Sequence, residues 1–420
     1  MKPLRGGLKL EPKKEATLTP WTAAKPSLPV RVRIPLVGPD GSEVEPVVRP
    51  GERVLTGQKI AAFVHASLSG TVSEIKRFPH PLFGEARAVE IISDGRDERV
   101  AGTGTERHGW ESLAPLEIVR ILRESGVLDL GADITPPASI DTVVINGCES
   151  EPYLTSDHSL MMSHPVEILK GGEILRRALG AKDLVVALED NKEEVSELLK
   201  SKVFFHTWTQ AQIELFPTRY PQGDPRVLVR SLFERAQKPG RTPRETSLRI
   251  VGIPETYAAF EAVVMQKPFY ERIVTISGEC VVKPGNFWVR VGTLANEAVK
   301  FARGFLRPPG RTVHGGPMQG TALESLDVPL LKETPGLLGI PHELVKSGSV
   351  DPCIRCGRCV EVCPVSISPV TITLAAEKGL WDVAEEEGAH LCIECGNCAY
   401  VCPSRRPMVE LIRTVHAHAG

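Results

Sequence analysis

The hydrophobic and polar positions change their period along the chain, and the change divides it into segments. Between residues 29 and 97, short runs of alternating apolar and polar residues are separated by glycine turns, as in "RVLTGQKIAAF". Alternation with a period of two predicts half-buried strands, so this segment is expected to form a small β-barrel. From about residue 112, helical spacing appears between short apolar, β-branched runs.

The second segment alternates predicted strands with predicted helices. Because such alternation implies parallel pairing, the loops that leave the C-terminal strand ends are where a ligand is expected. The first of these loops is "NGCESEPYLTSD". Asn191, with Glu194 three residues later, predicts a capping box at the second helix. The strands are "DTVVING" (141–147) and "DLVVALED" (183–190), and the helices are "SLMMSHPVEILKGGEILRRALG" (159–180) and "NKEEVSELLKSK" (191–202).

Residues from about 246 to 325 become β-rich again. A strand pair, a helix and a returning strand predict a β-grasp-like module. The proline- and glycine-dense stretch "AQKPGRTP" (236–243) predicts the boundary before it, and residues past 325 are expected to form an extended connector. The segments concerned are "SLRIVGIP" (247–254), "ERIVTISGECVVKPGNFWVRVGT" (271–293), "EAVKFARGF" (297–305) and "RTVHGGPMQG" (311–320).

The candidate chemistry is concentrated in the cysteines. Eight of the ten lie in the last 70 residues, in two copies of C-x2-C-x2-C-x3-C-P, and only Cys148 and Cys280 stand apart. This is the spacing of bacterial two-cluster ferredoxins, in which three thiolates of a repeat bind one [4Fe–4S] cluster and the fourth binds the other. Two crossed ligand sets follow: Cys353, Cys356, Cys359 and Cys402 for cluster 1, and Cys392, Cys395, Cys398 and Cys363 for cluster 2.

The alternative interpretation of these cysteines is a zinc-stapled scaffold, because C-x2-C pairs also bind zinc. The crossed spacing and the prolines after each fourth cysteine, Pro364 and Pro403, favour iron and sulfide. Two clusters held in this way lie close together and can pass single electrons. Cys280, alone in a β pattern, is expected to be a packed apolar residue.

Composition narrows the function further. A chain of 420 residues predicts several domains. With 50 Lys and Arg against 52 Asp and Glu, it lacks the basic surplus of a nucleic-acid-binding protein. No stretch approaches 18 consecutive apolar residues, and the N-terminus lacks the apolar run of a signal peptide. The cysteine spacing belongs to a reducing compartment, so we expect a cytoplasmic protein that contacts any membrane through its partners.

Taken together, these segments resemble the RnfC family, the C components of the Rnf electron-transport complexes that link ferredoxin and NAD. Soluble cobalamin-reductase-type proteins share this architecture, and the family's central domain is similar to the NADH-binding flavoprotein subunit of respiratory complex I. The match covers nearly the whole chain, through "LRGGLKLEPKK", "INGCESEPYLTSD", "LEDNKEE", "RYPQGD", "TISGECVVKPGNFWVRVGT", "HGGPMQG" and both cysteine motifs.

The resemblance implies a multidomain fold of the α/β plus β class. The implied domains are a barrel-sandwich hammerhead used for docking (1–111), a Rossmann-like α/β domain similar to the complex I flavoprotein (112–245), a β-grasp (SLBB-like) module (246–325), and a connector with a two-cluster ferredoxin domain (326–420). The hairpin that would carry a modified lysine is missing from the barrel, because only "AFV" separates "GQKIA" from "HASLSG".

The resemblance also implies a nucleotide pocket. In the complex I relative, a loop of the form N-x-D-E-S-E-P packs beside the flavin and nicotinamide. Here the matching residues are Asn146, Glu149 and Glu151, which would contact FMN or NADH if the pocket is retained. The alternative is that these acidic residues cap the following helix, whose N-terminus favours negative charge.

One loop departs from the family's pattern. Active members carry a glycine-rich loop resembling G-x-x-G-x-G-G-A-x-F-P-T, which lets phosphate and flavin approach the backbone. In "GVLDLGADITPP" (126–137), Asp129 and Ala132 replace glycines and Asp133 replaces alanine. Carboxylates oppose a phosphate and a Cβ blocks its approach, so weak binding of FMN and NADH, or none, is predicted.

Two functional hypotheses follow. In the first, the chain is an iron–sulfur electron-transfer subunit of an RnfC-like oxidoreductase complex, with two [4Fe–4S] clusters and a degenerate flavin/NADH pocket. In the second, it is a working NADH:acceptor oxidoreductase subunit of the ferredoxin or cobalamin type that uses FMN as well. Both predict other redox subunits as partners, ferredoxin- or flavoprotein-like, and a location in the cytoplasm or on the cytoplasmic face of the inner membrane. Neither assigns a catalytic residue.

Overall fold

A computed structural model describes residues 6–38, 41–127, 140–236, 248–345 and 348–419. Over these ranges the chain forms a β domain, a parallel α/β layer, a mixed sheet with one helix against it, and a small helical domain that carries the cysteine repeats. None of the helices in these ranges is both long and apolar enough to cross a membrane.

The N-terminal domain is built on one long hairpin. Its elements are α1 (Glu15–Leu18), β1 (Arg31–Pro35), β2 (Arg53–Val54), β3 (Lys59–Ala61), β4 (Val64–His65), β5 (Gly70–His80) and β6 (Gly84–Ser93). β5 and β6 pair antiparallel, and the sheet has the order β1-β6-β5-β2. Val32, Ile34, Val89 and Ile91 enclose the core, as the period-two pattern predicts for one buried face.

The second domain is a parallel sheet with helices on both sides. Its elements are α2 (Pro115–Glu124), β7 (Thr142–Asn146), α3 (Ser156–Ser163), α4 (Pro165–Ala178), β8 (Asp183–Glu189), α5 (Glu193–Phe205), β9 (Gln212–Phe216), α6 (Pro225–Ala236), β10 (Leu248–Gly252) and α7 (Ile253–Val263). The strand order is β10-β7-β8-β9, so the chain reverses direction across the sheet between β7 and β10. In such sheets the crevice at the carboxyl ends beside this reversal is the usual ligand site.

Two local predictions for this domain are wrong. The predicted helix 159–180 is two helices, because Pro165 cannot donate the hydrogen bond that would continue α3. The predicted capping box is absent: α5 starts at Glu193 without a side-chain cap. The backbone N–H of Asn191 donates instead to Thr218 Oγ1 at 3.2 Å, so a contact from the next strand connection displaces the local motif.

The third domain is a five-stranded mixed sheet. Its elements are β11 (Glu271–Ser277), β12 (Gly285–Arg290), α8 (Ala295–Phe301), β13 (Arg311–His314), β14 (Thr321–Leu323) and β15 (Gly336–Ile340). The strand order is β12-β11-β15-β13-β14, in which β11 and β15 are parallel and the other pairs are antiparallel. Val274, Ile276 and Leu337 of the sheet pack against Val299 of α8.

Two strands belong to a different domain from the one that the sequence predicted for them. β10, placed in the β-rich module, pairs along its length with β7 and completes the α/β sheet. β15, placed in an extended connector, fills the centre of the third sheet between β11 and β13. A short apolar run identifies a buried strand but carries no information about which sheet receives it.

The C-terminal domain is made of short helices around the cysteines. Its elements are α9 (Arg358–Glu361), α10 (Pro369–Ala376), α11 (Trp381–Glu386), α12 (Asn397–Tyr400) and α13 (Met408–Ala419). α9 and α12 each follow a left-handed glycine, Gly357 at φ 78° and Gly396 at φ 77°. The two cysteine motifs therefore repeat in backbone conformation as well as in sequence.

Candidate metal centres and the adjoining strand-end loops

Four cysteines line a cavity of about 120 Å³ at one end of the C-terminal domain. They are the set grouped above as cluster 1, three from the first repeat and one from the second. Val370 and Met408 complete an apolar wall. The cysteines are Cys353, Cys356, Cys359 and Cys402.

A second, smaller cavity is lined by the remaining four cysteines of the repeats. Again three come from one repeat and the fourth from the other, with Val365, Ile367 and Ile412 around them. The structure thus brings the eight cysteines together in the two crossed groups that the spacing gives. The cysteines are Cys363, Cys392, Cys395 and Cys398.

The same backbone geometry shapes both cysteine loops. Arg355 and Glu394, each in the middle of the first C-x2-C of its repeat, are left-handed at φ 55° and 53°. This conformation is uncommon for residues with a side chain. It directs the N–H of Arg355 to Cys353 Sγ at 3.4 Å and the N–H of Glu394 to Cys392 Sγ at 3.3 Å. Backbone N–H groups aimed at sulfur stabilise the negative charge of thiolates and of iron–sulfur clusters.

Burial affects one cysteine of the first cavity and three of the second. Burial raises the pKa of Cys395 to about 12 and also raises the pKa of Cys398, Cys392 and Cys359. Thiols of this kind stay protonated in an apolar setting and lose the proton when a metal binds. By contrast, Cys356 is exposed. The first cavity therefore has a solvent-exposed cysteine, and the second has none.

The loops of the second cavity are contacted by other domains of the same chain. Tyr220 Oη donates to the carbonyl of Cys395 at 2.7 Å, and Arg226 Nη1 donates to the carbonyl of Cys392 at 3.3 Å. From the third domain, the carbonyl oxygen of Met318 lies close to Gly396. A Cβ at position 396 would be 2.9 Å from that oxygen. Sequence reasoning did not find this role for "RYPQGD" and "HGGPMQG", because the contacts join residues far apart in the chain.

Glu149, one of the three predicted nucleotide contacts, is buried and bound by protein groups. Its Oε1 accepts from the N–H of Asp157 at 2.9 Å, in the first turn of α3. Its Oε2 lies 3.2 Å from Lys192 Nζ and 4.0 Å from Lys14 Nζ. Burial opposes ionisation of Glu149, but Lys192 and then Lys14 outweigh burial and lower its pKa. The carboxylate acts as a helix cap within a buried ion-pair network, which is the alternative role given above.

Glu151, the second predicted contact, joins the α/β domain to the third domain. Its two carboxylate oxygens accept from the N–H groups of Met318 at 3.1 Å and Gln319 at 2.9 Å. A Cβ on Gly316 would lie 2.4 Å from Glu151 Cδ, so any other residue there would force the carboxylate to shift. Burial raises the pKa of Glu151 to about 7 despite these two hydrogen bonds.

Asn146, the third predicted contact, holds two loops together. Its Nδ2 donates to the carbonyl of Gly223 at 2.8 Å, and its Oδ1 accepts from the N–H of Cys148 at 3.2 Å. A Cβ on Gly223 would lie 2.2 Å from the carbonyl of Cys148, so the two loops are in close contact. All three predicted side chains thus have partners within the chain.

Glu189, at the end of β8, is a strand-end residue that sequence reasoning missed. It is 1% exposed, and neither carboxylate oxygen has a hydrogen-bond partner among the described residues. Burial raises its pKa although Lys14 and Lys192 act in the opposite direction. Its only sequence signal was an acidic residue closing an apolar strand, "LVVALE".

The glycine-poor loop of residues 126–137 is only partly described. Gly126 has φ 67°, and its carbonyl accepts from Lys332 Nζ at 2.8 Å. Asp129, Ala132 and Asp133, on which the prediction of weak nucleotide binding depends, lie outside the described residues.

Family models match four successive parts of the chain. The RnfC barrel sandwich hybrid domain matches residues 2–96, and the Nuo51 FMN-binding domain matches residues 130–261. The SLBB domain matches residues 273–322, and a 4Fe-4S dicluster domain matches residues 349–405. The chain is therefore multidomain in the order expected from the sequence.

Whole-chain relatives decide the family. The C component of a proton-translocating ferredoxin:NAD(+) oxidoreductase complex from Clostridium ljungdahlii is 36% identical, over 92% of this chain and 87% of the relative. The C component of the Na(+)-translocating complex from Acetobacterium woodii is 31% identical, over 92% and 90%. The chain belongs to the RnfC family. The resemblance drawn from the sequence is confirmed, and the C-terminal domain is a 4Fe-4S dicluster domain.

Two further matches cover less of the other protein. The C component of the ion-translocating oxidoreductase complex of Rhodobacter capsulatus is 33% identical over 92% of this chain and 77% of the relative. Among solved structures, an NAD+-reducing [NiFe]-hydrogenase in the H2-reduced state aligns with a TM-score of 0.47 and 16% identity, over 73% of this chain and 63% of that chain.

Proposed function

We propose that this chain is the iron–sulfur electron-transfer subunit of an ion-translocating ferredoxin:NAD+ oxidoreductase complex and relays single electrons through two [4Fe–4S] clusters. The observation that carries the proposal is the pair of cavities, each lined by four cysteines taken crosswise from the two repeats. In this proposal the chain works with ferredoxin- or flavoprotein-like redox subunits at the cytoplasmic face of the inner membrane.

The first cavity fits a cluster better than a single ion, and the second has the same crossed set of four cysteines. A structural zinc ion draws four sulfurs to about 2.3 Å from one point. Here the first four cysteines surround an opening of about 120 Å³, whereas the opening among the second four is about 20 Å³. Within the described ranges, no three His, Cys, Asp or Glu side chains are grouped to hold one metal ion. In our assignment Cys353, Cys356, Cys359 and Cys402 hold cluster 1, and Cys392, Cys395, Cys398 and Cys363 hold cluster 2.

The burial of the two centres supports an order along the electron path. Cluster 2 would lie against Tyr220 of the α/β domain and Met318 of the third domain, whereas cluster 1 would lie beside exposed Cys356. On a path between the interior of the chain and a partner protein, cluster 2 would therefore be the inner centre and cluster 1 the centre at the surface. A bound cluster supplies one-electron chemistry, and the chain supplies the ligands, the N–H groups and the enclosure.

A second candidate function, an NADH:acceptor oxidoreductase subunit that binds FMN, is favoured by the match of residues 130–261 to an FMN-binding domain. The contacts of the strand-end loops argue for the relay. Asn146, Glu149 and Glu151 are all engaged by protein groups, so they do not fit the role of flavin contacts in this conformation. We therefore derive no hydride-transfer step.

The experiment is purification under anaerobic conditions, followed by iron, sulfide, zinc and flavin analysis and by reduction with dithionite or NADH. The relay predicts about eight irons per chain, visible bleaching by dithionite, little FMN, and slow or no bleaching by NADH. Zinc in place of iron and sulfide would overturn the electron-transfer proposal. One FMN per chain with rapid reduction by NADH would overturn the degenerate pocket and establish the second candidate.

A further inference from the structure

Equivalent surfaces of the two cysteine repeats differ in exposure: one is covered by the rest of the chain and the other is open. In the second repeat the surface is covered by the rest of the chain: Ile393 is 4% exposed and Asn397 is 0% exposed. Gln319 Nε2 donates to the carbonyl of Ile393 at 3.4 Å, and Met318 lies over Gly396. The surface next to cluster 2 is therefore used as a docking surface within the molecule.

In the first repeat the equivalent surface is open. Ile354, which corresponds to Ile393, is 67% exposed, and Val360 of α9 is 42% exposed. A Cβ on Gly357 would meet nothing within 4 Å, in contrast to Gly396. Cys356 is exposed where Cys395 is buried. The same motif thus leaves two apolar side chains and a cysteine in solvent.

The charges of the two surfaces also differ. Arg355 and Arg358 stand where the second repeat has Glu394 and Asn397, and both arginines are exposed. Glu394 is paired with Arg413 at 2.6 Å. Of the described carboxylates nearby, Asp351 pairs with Arg405 and Glu377 with Arg406, and neither pairs with Arg355 or Arg358. Two guanidinium groups therefore flank the exposed cysteine with no ion-pair partner among the described residues.

We propose that Ile354, Arg355, Cys356, Arg358 and Val360 form a docking face for a one-electron carrier protein with acidic residues around its redox centre. An apolar centre with a charged rim is the usual composition of a protein interface. Arginine pairs with carboxylates in two-point geometry, and complementary charge speeds association. The inference rests on the proposed function, because the face lies on the outer side of the centre assigned as cluster 1.

The test measures electron transfer from the dithionite-reduced full chain to an oxidised bacterial two-cluster ferredoxin with an acidic surface, by anaerobic stopped flow at low and high salt. We expect the rate constant to fall as salt is raised. In the charge-reversal variant R355E/R358E, we expect it to fall about tenfold at low salt and to lose most of its salt dependence. The milder double variant Arg355→Gln with Arg358→Gln should have a rate constant between those of the wild type and R355E/R358E.

The matched control is K200E/K300E, which makes the same change in net charge at two exposed lysines on α5 and α8. It should transfer electrons at the wild-type rate. Iron content and the electron paramagnetic resonance spectrum of each reduced variant report separately on the clusters. If no protein holds clusters, the proposed function and the docking face that rests on it are both overturned.

Three outcomes would overturn the docking face. One is a wild-type rate and wild-type salt dependence in the arginine variants with both centres intact. The other is a dimer of this chain in sedimentation that R355E/R358E dissociates, because it would assign the face to a second copy. Equal loss of rate in K200E/K300E would also overturn it, because the effect would then come from net charge alone.

Discussion

The fourth cysteine of each repeat, Cys363 or Cys402, precedes a proline and lies in the cavity of the other repeat's first three cysteines. Cys363 shares a cavity with Cys392 of the other repeat, and Cys402 shares one with Cys353. Each cavity therefore joins cysteines that lie 29 to 49 positions apart, as expected for the crossed ligation of two-cluster ferredoxins. Each repeat has four cysteines but places only three of them in one cavity.

We expect Cys402→Ser to remove the same centre as Cys356→Ser, although residues 402 and 356 belong to different repeats. Each variant should lose about half of the iron and retain the other centre's spectrum after reduction. Iron analysis and electron paramagnetic resonance of the dithionite-reduced proteins make the comparison. Cys398→Ser, in the same repeat as Cys402, is the control and should remove the other centre. Matching spectra for Cys402→Ser and Cys398→Ser would contradict crossed ligation.

The site divides into a part that local sequence determines and a part that it does not. The cysteine groups could be predicted because their spacing is local and their chemistry requires four thiolates per cluster. The partners of Glu149 and Glu151 could not, because Lys14 lies 135 residues before Glu149 and Met318 lies 167 residues after Glu151. A motif gives the residue types at a loop, but only the tertiary fold determines whether those groups face a ligand or another domain.

At the scale of elements, the two short helices that follow the cysteine loops form an internal comparison. α9 and α12 start after glycines with nearly the same φ, 78° and 77°. Only Gly396 is in contact with another domain, through the carbonyl of Met318 in the loop between β13 and β14. Equal backbone strain at the two positions allows the contribution of the interdomain contact to be isolated.

We expect Gly396→Ala to destabilise the protein more than Gly357→Ala. Both substitutions place a side chain in the left-handed region, at a cost of about 1 kcal/mol or more. Only the first also forces a Cβ to within 2.9 Å of a carbonyl oxygen, and such overpacking costs about 1–3 kcal/mol more. The measurement is the midpoint of thermal unfolding of both variants with their clusters in place. Equal shifts in the two variants would show that the contact with Met318 contributes nothing.

Periodicity predicted the strands and helices more reliably than it predicted which of them lie next to each other. β7 and β8 were predictable because both are apolar, β-branched runs of strand length. The placement of β10 beside β7 could not be predicted. A right-handed crossover can return the chain from β9 to either edge of the sheet, and the composition of β10 does not indicate which edge. The capping box at Asn191 failed for a similar reason, since Thr218 offers a competing hydrogen bond from outside the helix.

At the scale of the whole molecule, three distant parts of the chain converge on the second cavity. The N-terminal segment donates from the N–H of Gly7 to the carbonyl of Val362 at 2.8 Å. The α/β domain contributes Tyr220, and the third domain contributes Met318. The first cavity has no such cover at Gly357 or Cys356. The fold therefore places one centre inside the assembly of domains and the other at its edge.

This arrangement predicts that an oxidant and a chelator remove the two clusters in order. With ferricyanide and EDTA, iron loss should be biphasic. The first phase should account for about half of the iron. It should remove the centre that is missing from the Cys402→Ser variant. Tyr220→Phe, which deletes the hydrogen bond to Cys395, should accelerate the second phase and leave the first unchanged, because Tyr220 contacts only the inner centre's loop in this way. Iron release followed together with electron paramagnetic resonance distinguishes the phases. A single phase, or earlier loss of the centre ligated by Cys395, would contradict the enclosure of cluster 2 by the other domains.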